Sequence, residues 1–263
     1  MINKFLSKGY AVIYAVGAEG VGIPKKQFVN HVYSKIKQSG LIEDVEEYMQ
    51  AGALRIMDVR EIYSPDLISD TVAMLGKWMS IIKELRRKKF KNIAIISGGT
   101  TAFSDNNQNC LVAYEQAILE TAKEIGSVHV ICCYFQESLD KMQFGQLTSI
   151  ANAHQCNIIP EESGMESRRM TPSVILDAIV DGIEDVMGKG SGKLIIQTMK
   201  IVYKIDEDTI ISNPSLFQEK LQKILGNTSK MVLDSASEKI KDSVLVVGVL
   251  MIIHSIFPSI RLM

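Results

Sequence analysis

Residues 92–135 have the sequence NIAIISGGTTAFSDNNQNCLVAYEQAILETAKEIGSVHVICCYF. The apolar run at residues 93–96 predicts a strand, and a loop of glycine and hydroxyl residues follows it. The amphipathic stretch that contains Tyr114 and Glu115 predicts a helix, and the apolar run at residues 128–135 predicts a second strand. Strand, loop, helix and strand form a βαβ unit, in which ligands bind beyond the carboxyl ends of the strands.

Three more apolar runs predict that this unit belongs to a larger sheet. Residues 10–16 are apolar without a break, which is typical of a central parallel strand covered on both faces. Residues 53–59 predict another strand, and residues 156–160 predict a short fifth strand that Pro160 ends. Strands that alternate with helices indicate an α/β fold, with a doubly wound and mostly parallel sheet of about five strands.

A long helix is expected between the strands at residues 53–59 and 93–96. Ser64 offers a hydroxyl cap, Pro65 suits the first helical position and Asp66 adds an acid to the first turn. Trp78 is interpreted as a core residue. The apolar residues predicted to share the inward face are Ile68, Val72, Leu75, Met79, Ile82 and Leu85.

The glycines after the first strand raise the question of a nucleotide site. Gly17 and Gly22 have the spacing of a phosphate loop, but Ile23 and Pro24 stand where that loop needs Lys and a hydroxyl residue. A flexible turn between strand and helix is therefore favoured over phosphate binding. No cofactor is expected, and ATP or another nucleotide is the less favoured alternative.

Composition narrows the class of protein. The net charge of −1 and a pI near 6.4 predict that nucleic acid is not a partner. None of the cysteines forms a CxxC pair, so we expect reduced core thiols in the cytoplasm and no metal site; they are Cys110, Cys132, Cys133 and Cys156. Residues 1–9 do not resemble a signal peptide.

The second half of the chain has a different pattern. A polar connector after Pro160 leads to a helix capped at Thr171 and Pro172, and residues 188–192 form a glycine-rich linker. Helices follow, one of them starting at Asn213 and ending at Gly226. Residues 244–253 are apolar but fall short of the roughly 20 residues of a membrane span. A packed or partner-covered helix is favoured there over a membrane anchor.

Several short stretches carry a resemblance to a known family: residues 9–14, 52–56, 62–65, 111–115 and 131–134, with His154. They resemble the MEDS sensory domain, a ligand-sensing relative of the RecA-like P-loop ATPases in archaeal and bacterial signalling proteins. The resemblance implies a P-loop-like core that has lost its ATPase machinery. Family members usually begin with an extra strand and helix, which is either missing or trimmed here. Residues 204–240 are similar to a small helical output domain of archaeal signalling proteins.

The predicted domains are residues 1–162 (sensory), 163–192 (helix and linker), 193–241 (helical output) and 242–263 (apolar tail). We predict a non-enzymatic intracellular sensor of a small ligand or signalling protein. The alternatives are a RecA-like ATPase that uses Lys25 or Lys26, and a membrane-tethered or oligomeric scaffold. No catalytic residues are expected, and the equal alternative for Glu115 is that it pairs with or caps the neighbouring loop. The residues predicted to bind the ligand are Gly17, Gly20, Gly22, Ser97, Gly98, Gly99, Thr100, Thr101, Glu115 and Tyr134.

Overall fold

The computed structural model describes residues 1–17, 24–40, 42–64, 66–98, 108–134, 136–154, 156–161, 164–169 and 171–244. These residues fall into two compact units, the first of which runs to Phe135 while the second begins at Gln136. The first unit contains α1 (Ile2–Leu6), β1 (Ala11–Val16), α2 (Lys25–Ser39), α3 (Val45–Gln50), β2 (Leu54–Asp58), a 3₁₀ turn (Val59–Glu61), α4 (Thr71–Arg87), β3 (Ile93–Ser97), α5 (Gln108–Ile125) and β4 (Val128–Cys132).

A four-stranded parallel sheet forms the centre of the first unit, in the order β2-β1-β3-β4. The two central strands, β1 and β3, are buried along their whole length, as their unbroken apolar runs predict. In register, Tyr14 of β1 lies between Ile56 of β2 and Ile96 of β3. The prediction of an α/β fold with a parallel sheet is confirmed.

The helix α2 covers part of this sheet with its predicted apolar face. Phe28, Val32 and Ile36 follow one another at helical spacing and are almost fully buried. They belong to one core cluster with Tyr14 and Ile96 of the central strands. A left-handed Gly40 ends the helix.

The predicted start of α4 is wrong. The helix begins at Thr71, because the carboxylate of Asp70 accepts a hydrogen bond from the Ala73 N–H at 2.9 Å and caps it. Ser64 instead accepts turn hydrogen bonds from the N–H groups of Leu67 and Ile68.

The predicted inward face of α4 is also partly wrong. Val72 is 80% exposed, whereas Trp78 is only 2% exposed, so Trp78 is a core residue as predicted. Ile82 and Leu85 are buried as predicted, and Met74 joins them in place of the half-buried Leu75 and Met79. The apolar residues of this helix are numerous enough to form two neighbouring apolar faces. The sequence therefore does not determine which of the two faces is buried.

The second unit is mostly helical. It contains α6 (Gln136–Asp140), α7 (Phe144–Ala153), β5 (Cys156–Glu161), β6 (Gly164–Arg169), α8 (Pro172–Met187), α9 (Ser191–Val202), α10 (Glu207–Ser212), α11 (Pro214–Leu225) and α12 (Thr228–Val244). The side chain of Asn213 caps α11 and Gly226 ends it, as predicted. Among the helices described, none is both long and apolar enough to cross a membrane. The predicted apolar tail lies outside the described residues from residue 245 onward.

The fifth strand exists but has a different partner from the one predicted. The strand β5 pairs antiparallel with β6, with Cys156 opposite Arg169 and Glu161 opposite Gly164. These two strands form a separate two-stranded sheet. The segment predicted to be a polar connector is therefore partly a strand, because a short polar strand carries no apolar alternation by which it could be detected.

Two glycines allow close helix packing in the second unit. A Cβ atom at Gly182 of α8 would lie 2.3 Å from Cα of Ala236 on α12. A Cβ atom at Gly192 of α9 would lie 2.7 Å from Cγ1 of Val180 on α8. The predicted linker is thus a short turn between two packed helices. The predicted domain boundaries after residues 162, 192 and 241 stay predictions, since compact units need not coincide with functional domains.

Candidate functional site

The carboxyl edge of the parallel sheet gathers polar residues from strands that are distant in sequence. Ser97 is the last residue of β3 and lies in register with Cys132, the last residue of β4. The ladder continues by one hydrogen bond, from the Cys133 N–H to the Ser97 carbonyl at 2.8 Å. Since ligands bind outside the carboxyl ends of strands in open α/β sheets, this edge is where a site is expected.

The helix α5 adds two buried polar side chains to this edge. Tyr114 and Glu115 are 2% and 3% exposed, respectively, and they are neighbours in sequence. Consecutive helical residues point about 100° apart, so the two side chains reach different partners. Tyr114 lies on the predicted inward face, together with the buried Leu111 and Ile118.

A chain of hydroxyl groups runs through the site. The Tyr63 hydroxyl lies 2.9 Å from the Tyr114 hydroxyl and 3.3 Å from Oγ of Ser97. The rings of Tyr63 and Tyr114 meet edge to face, with centroids 5.4 Å apart. Tyr63 is held in place because its N–H donates to the Val59 carbonyl in the turn that follows β2.

Glu115 is the acidic group of the site. The Cys132 thiol donates a hydrogen bond to Oε2 of Glu115 at 3.1 Å. Tyr134 also makes side-chain hydrogen bonds with Glu115 and Cys132. The thiol of Cys132 and the hydroxyl of Tyr134 are both uncharged groups.

Burial and the acid together raise the pKa values of two groups beside Glu115. Although Cys132 as a whole residue is half-buried, burial of its thiol raises the pKa well above the ordinary value, and the negative charge of Glu115 raises it further. Burial and Glu115 likewise raise the pKa of Tyr134. Thiolate is the reactive form of cysteine, so this environment disfavours the redox-sensing role that adjacent cysteines can suggest.

A narrow cavity lies among these groups. About 10 Å³ of it is available to the centre of a water molecule, inside roughly 300 Å³ of unfilled space that is partly open to solvent. The Nε1 atom of Trp78 is buried and has no hydrogen-bond partner within the described part of the chain. The residues that line the cavity are Tyr63, Trp78, Ile95, Ser97, Leu111, Tyr114, Glu115, Ile118, Val130 and Cys132.

A second carboxylate lies at the end of β2. Asp58 is 1% exposed, and both of its carboxylate oxygens accept hydrogen bonds from Nε of Arg60, at 2.9 and 2.8 Å. The Arg60 guanidinium also lies over the ring of Phe28, 5.6 Å from its centroid. The carboxylate of Asp58 is thus paired with the guanidinium of a residue in the adjacent turn.

The structure brings some of the predicted ligand-binding residues together. Ser97 and Glu115 both line the cavity, and Tyr134 contacts Glu115. The Gly98 N–H donates to the Ala15 carbonyl at 3.0 Å and so continues the hydrogen bonding between β3 and β1. Gly17 follows β1 and is half-buried. The other predicted residues lie outside the described part of the chain: Gly20, Gly22, Gly99, Thr100 and Thr101.

The sequence did not reveal four of the polar and aromatic lining residues as candidates for the site, namely Tyr63, Trp78, Tyr114 and Cys132. Tyr63 follows a strand that ends at the same edge, so the rule that located Ser97 could also have located it. The sequence predicts Cys132 as a reduced thiol of the core, and it predicts Trp78 as a core residue. Assignment of any of these residues to ligand binding stays a prediction.

Comparison with known proteins identifies the family. Residues 1–155, more than half of the 263-residue chain, match the model of MEDS, described as the methanogen/methylotroph, DcmR sensory domain. No curated protein and no solved structure matches the chain significantly. The relationship to RecA-like ATPases and the helical output domain stay predictions. The chain belongs to the MEDS family of sensory domains.

Proposed function

We propose that this chain is a non-enzymatic intracellular sensor, which binds a small ligand at the carboxyl edge of its sheet. Membership of a sensory-domain family supports a signalling role. The observation that carries the location is the cavity, where the buried Glu115 and the hydroxyl groups of Tyr63, Ser97 and Tyr114 converge. A pocket with apolar walls and a few convergent polar groups is typical of small-molecule sites.

The walls of the cavity give such a sensor a way to respond. Trp78 belongs to α4, while Tyr114 and Glu115 belong to α5, so both helices face the ligand together with the strands β3 and β4. The space holds about one water-sized group, and a larger ligand has to displace some of the lining side chains or the elements that carry them. Such a ligand shifts the population toward the arrangement that it binds better. In this proposal, the C-terminal helices at residues 193–241 relay that change to a signalling partner.

A thermal-shift panel of metabolites and nucleotides on the full chain tests this proposal. We expect at least one compound to raise Tm, and we expect Glu115→Gln to abolish that increase, because the amide replaces one of the two acceptor oxygens by an N–H donor. Tyr14→Phe is the matched control. Tyr14 is a buried tyrosine of the same sheet, its hydroxyl has no partner among the described residues, and it does not line the cavity.

Two results would overturn the proposal. The first is a panel without any stabilising compound, together with a pulldown that recovers no partner. The second is magnesium-dependent ATP hydrolysis that Lys25→Ala and Lys26→Ala together abolish, since this indicates the RecA-like ATPase instead.

A further inference from the structure

The strand β4 forms an open edge of the parallel sheet. It pairs with β3 on one side, and no other described strand pairs with it on the other side. The Ser127 carbonyl accepts from the Ile93 N–H, so the backbone groups of alternate residues from Ser127 onward point toward β3. The residues whose backbone N–H and C=O groups point to the open edge are Val128, Val130 and Cys132.

This edge lacks the features by which proteins protect an exposed strand. Charged side chains, proline and bulges keep edge strands from pairing with other chains. The opposite edge strand, β2, carries Arg55 and Asp58, and four of its five residues are buried. The sequence of β4 is VHVIC, without an acidic residue, lysine, arginine or proline, and four of its five residues are half-buried. An apolar edge strand of this kind needs a segment that covers it.

Residues 245–253 have the composition of such a segment. Their sequence is LVVGVLMII, in which five of the nine residues are β-branched. β-Branched residues favour strands, and Gly248 within the run disfavours a helix. A short, continuous apolar run is also typical of a strand that is covered on both faces. The composition therefore favours a strand over the packed helix first expected for this run.

The end of α12 brings this run within reach of β4. Lys241, in the last turn of α12, is 6% exposed, and its Nζ atom donates to Oδ1 of Asp140 at 3.1 Å. Asp140 ends α6 and comes eight residues after Cys132, which the chain can separate by at most about 28 Å. Residues 245–263 span up to about 60 Å when extended. They can therefore reach the carboxyl end of β4 and run back along its open edge.

We propose that residues 245–253 add a strand to the open edge of β4, antiparallel to it. An antiparallel edge strand on an otherwise parallel sheet is common in doubly wound folds. Val130 and Cys132 of β4 also line the cavity, so the added strand attaches the end of α12 to the wall of the cavity. This inference goes beyond the proposed function, because it names a surface of the sheet and the segment that occupies it, whatever the ligand is.

Hydrogen exchange of the full chain, measured by mass spectrometry, tests this inference. We expect peptides that contain residues 128–132 to exchange slowly, and about ten-fold faster or more in the double variant Val246→Pro and Val247→Pro. Consecutive strand residues point to opposite edges, so one of the two prolines removes a ladder donor in either register. The double variant Val246→Ile and Val247→Ile is the matched control and should keep the wild-type exchange, since isoleucine also favours strands. Peptides that contain residues 93–97 of the buried β3 should exchange equally slowly in all three proteins.

A chain that ends at Val244 removes the run without introducing proline, and it decides the question if the prolines also speed exchange in β3. It should show the same fast exchange of residues 128–132. Unchanged protection of these residues in both proteins overturns the inference, because the run then lies elsewhere. Protection that falls on dilution, together with a dimer in light scattering, shows that a second copy of the chain covers the edge instead. Protection of residues 245–253 only in the presence of vesicles of phosphatidylcholine and phosphatidylglycerol shows a membrane-bound tail, which also overturns it.

Discussion

The hydroxyl groups of Tyr63 and Tyr114 lie 2.9 Å apart in the interior of the first unit, although 51 residues separate them in sequence. Tyr63 follows β2, and Tyr114 belongs to α5. The contact therefore connects a turn with a helix at the carboxyl edge of the sheet. Tyr63 also lies within hydrogen-bonding distance of Ser97. The contact therefore contributes both to the stability of the unit and to the wall of the cavity.

Tyr63→Phe should lower the free energy of unfolding. The substitution leaves buried hydroxyl groups of Ser97 and Tyr114 without this partner, which costs about 1–3 kcal/mol. Tyr14→Phe should change stability by less than about 0.5 kcal/mol or increase it, since that buried hydroxyl has no hydrogen-bond partner among the described residues. Urea denaturation followed by circular dichroism measures both variants. Equal losses for the two would mean that the hydroxyl contacts contribute nothing.

Arg60→Leu should destabilise the first unit strongly. It leaves the carboxylate of Asp58, 1% exposed, without the guanidinium that donates to both of its oxygens. A hydrogen bond to a charged group contributes about 1.5–3 kcal/mol to stability, so we expect the free energy of unfolding to fall by an amount in that range.

Arg55→Leu is the control for this ion pair. The Arg55 side chain is 37% exposed and pairs with Glu84, which is 48% exposed. Solvent screens such a pair, and we expect its loss to cost less than about 1 kcal/mol. The account of the Asp58 pair is contradicted if the two leucine variants unfold at the same urea concentration.

Stability should fall as the pH rises above about 8.5. The pKa of the Cys132 thiol is well above its ordinary value in the folded protein, so the unfolded chain loses this proton first. Between the two pKa values the unfolded state binds fewer protons, and the free energy of unfolding decreases with pH. The contribution is fully present below the unfolded pKa.

Urea titrations between roughly pH 7 and pH 10 measure this slope. Cys132→Ala should make this slope shallower without abolishing it, because burial also raises the pKa of the neighbouring Cys133 thiol. An identical slope in the Cys132→Ala variant would show that this thiol is not the group that titrates.

Gly182→Ala should destabilise the second unit. The new Cβ atom would lie 2.3 Å from Cα and 2.4 Å from N of Ala236, so α8 and α12 must move apart. Overpacking of this kind costs about 1–3 kcal/mol. Gly76→Ala on α4 is the matched control, because nothing lies within 4 Å of its new Cβ atom. The free energy of unfolding of Gly76→Ala should increase by up to about 1 kcal/mol, since alanine favours a helix. If Gly76→Ala and Gly182→Ala lower the free energy of unfolding equally, close packing of α8 and α12 is not the cause of the loss.

The sequence predicted the elements of the fold better than their partners. The apolar runs of β1 and β3 are long and bounded by glycine or polar residues, and they identify buried parallel strands. The apolar run of β5 is equally visible, but it contains nothing that selects between the main sheet and the antiparallel partner β6. The predicted start of α4 is wrong because Ser64 and Asp70 are both suitable caps, and the sequence does not show that the Asp70 side chain is the one that accepts from the Ala73 N–H.

The candidate site was predictable to the extent that it depends on topology. Ser97 and Glu115 were located because one ends a strand and the other belongs to the helix after it. The contact of Glu115 with Cys132 was not predictable, since both residues were compatible with other faces of their elements. The indole of Trp78 could not be placed against the cavity from helical periodicity alone, because periodicity distinguishes inward from outward and does not identify neighbours.

The central claim is that the ligand of this sensory domain occupies the cavity beside Trp78 and Glu115. Fluorine NMR of the full chain labelled with 5-fluorotryptophan tests it directly, because one tryptophan gives one resonance. We predict that each compound that raises Tm also shifts this resonance with saturation at the same concentration, and that Glu115→Gln abolishes both effects. A compound that stabilises the protein fully while the resonance of Trp78 does not move would contradict the account.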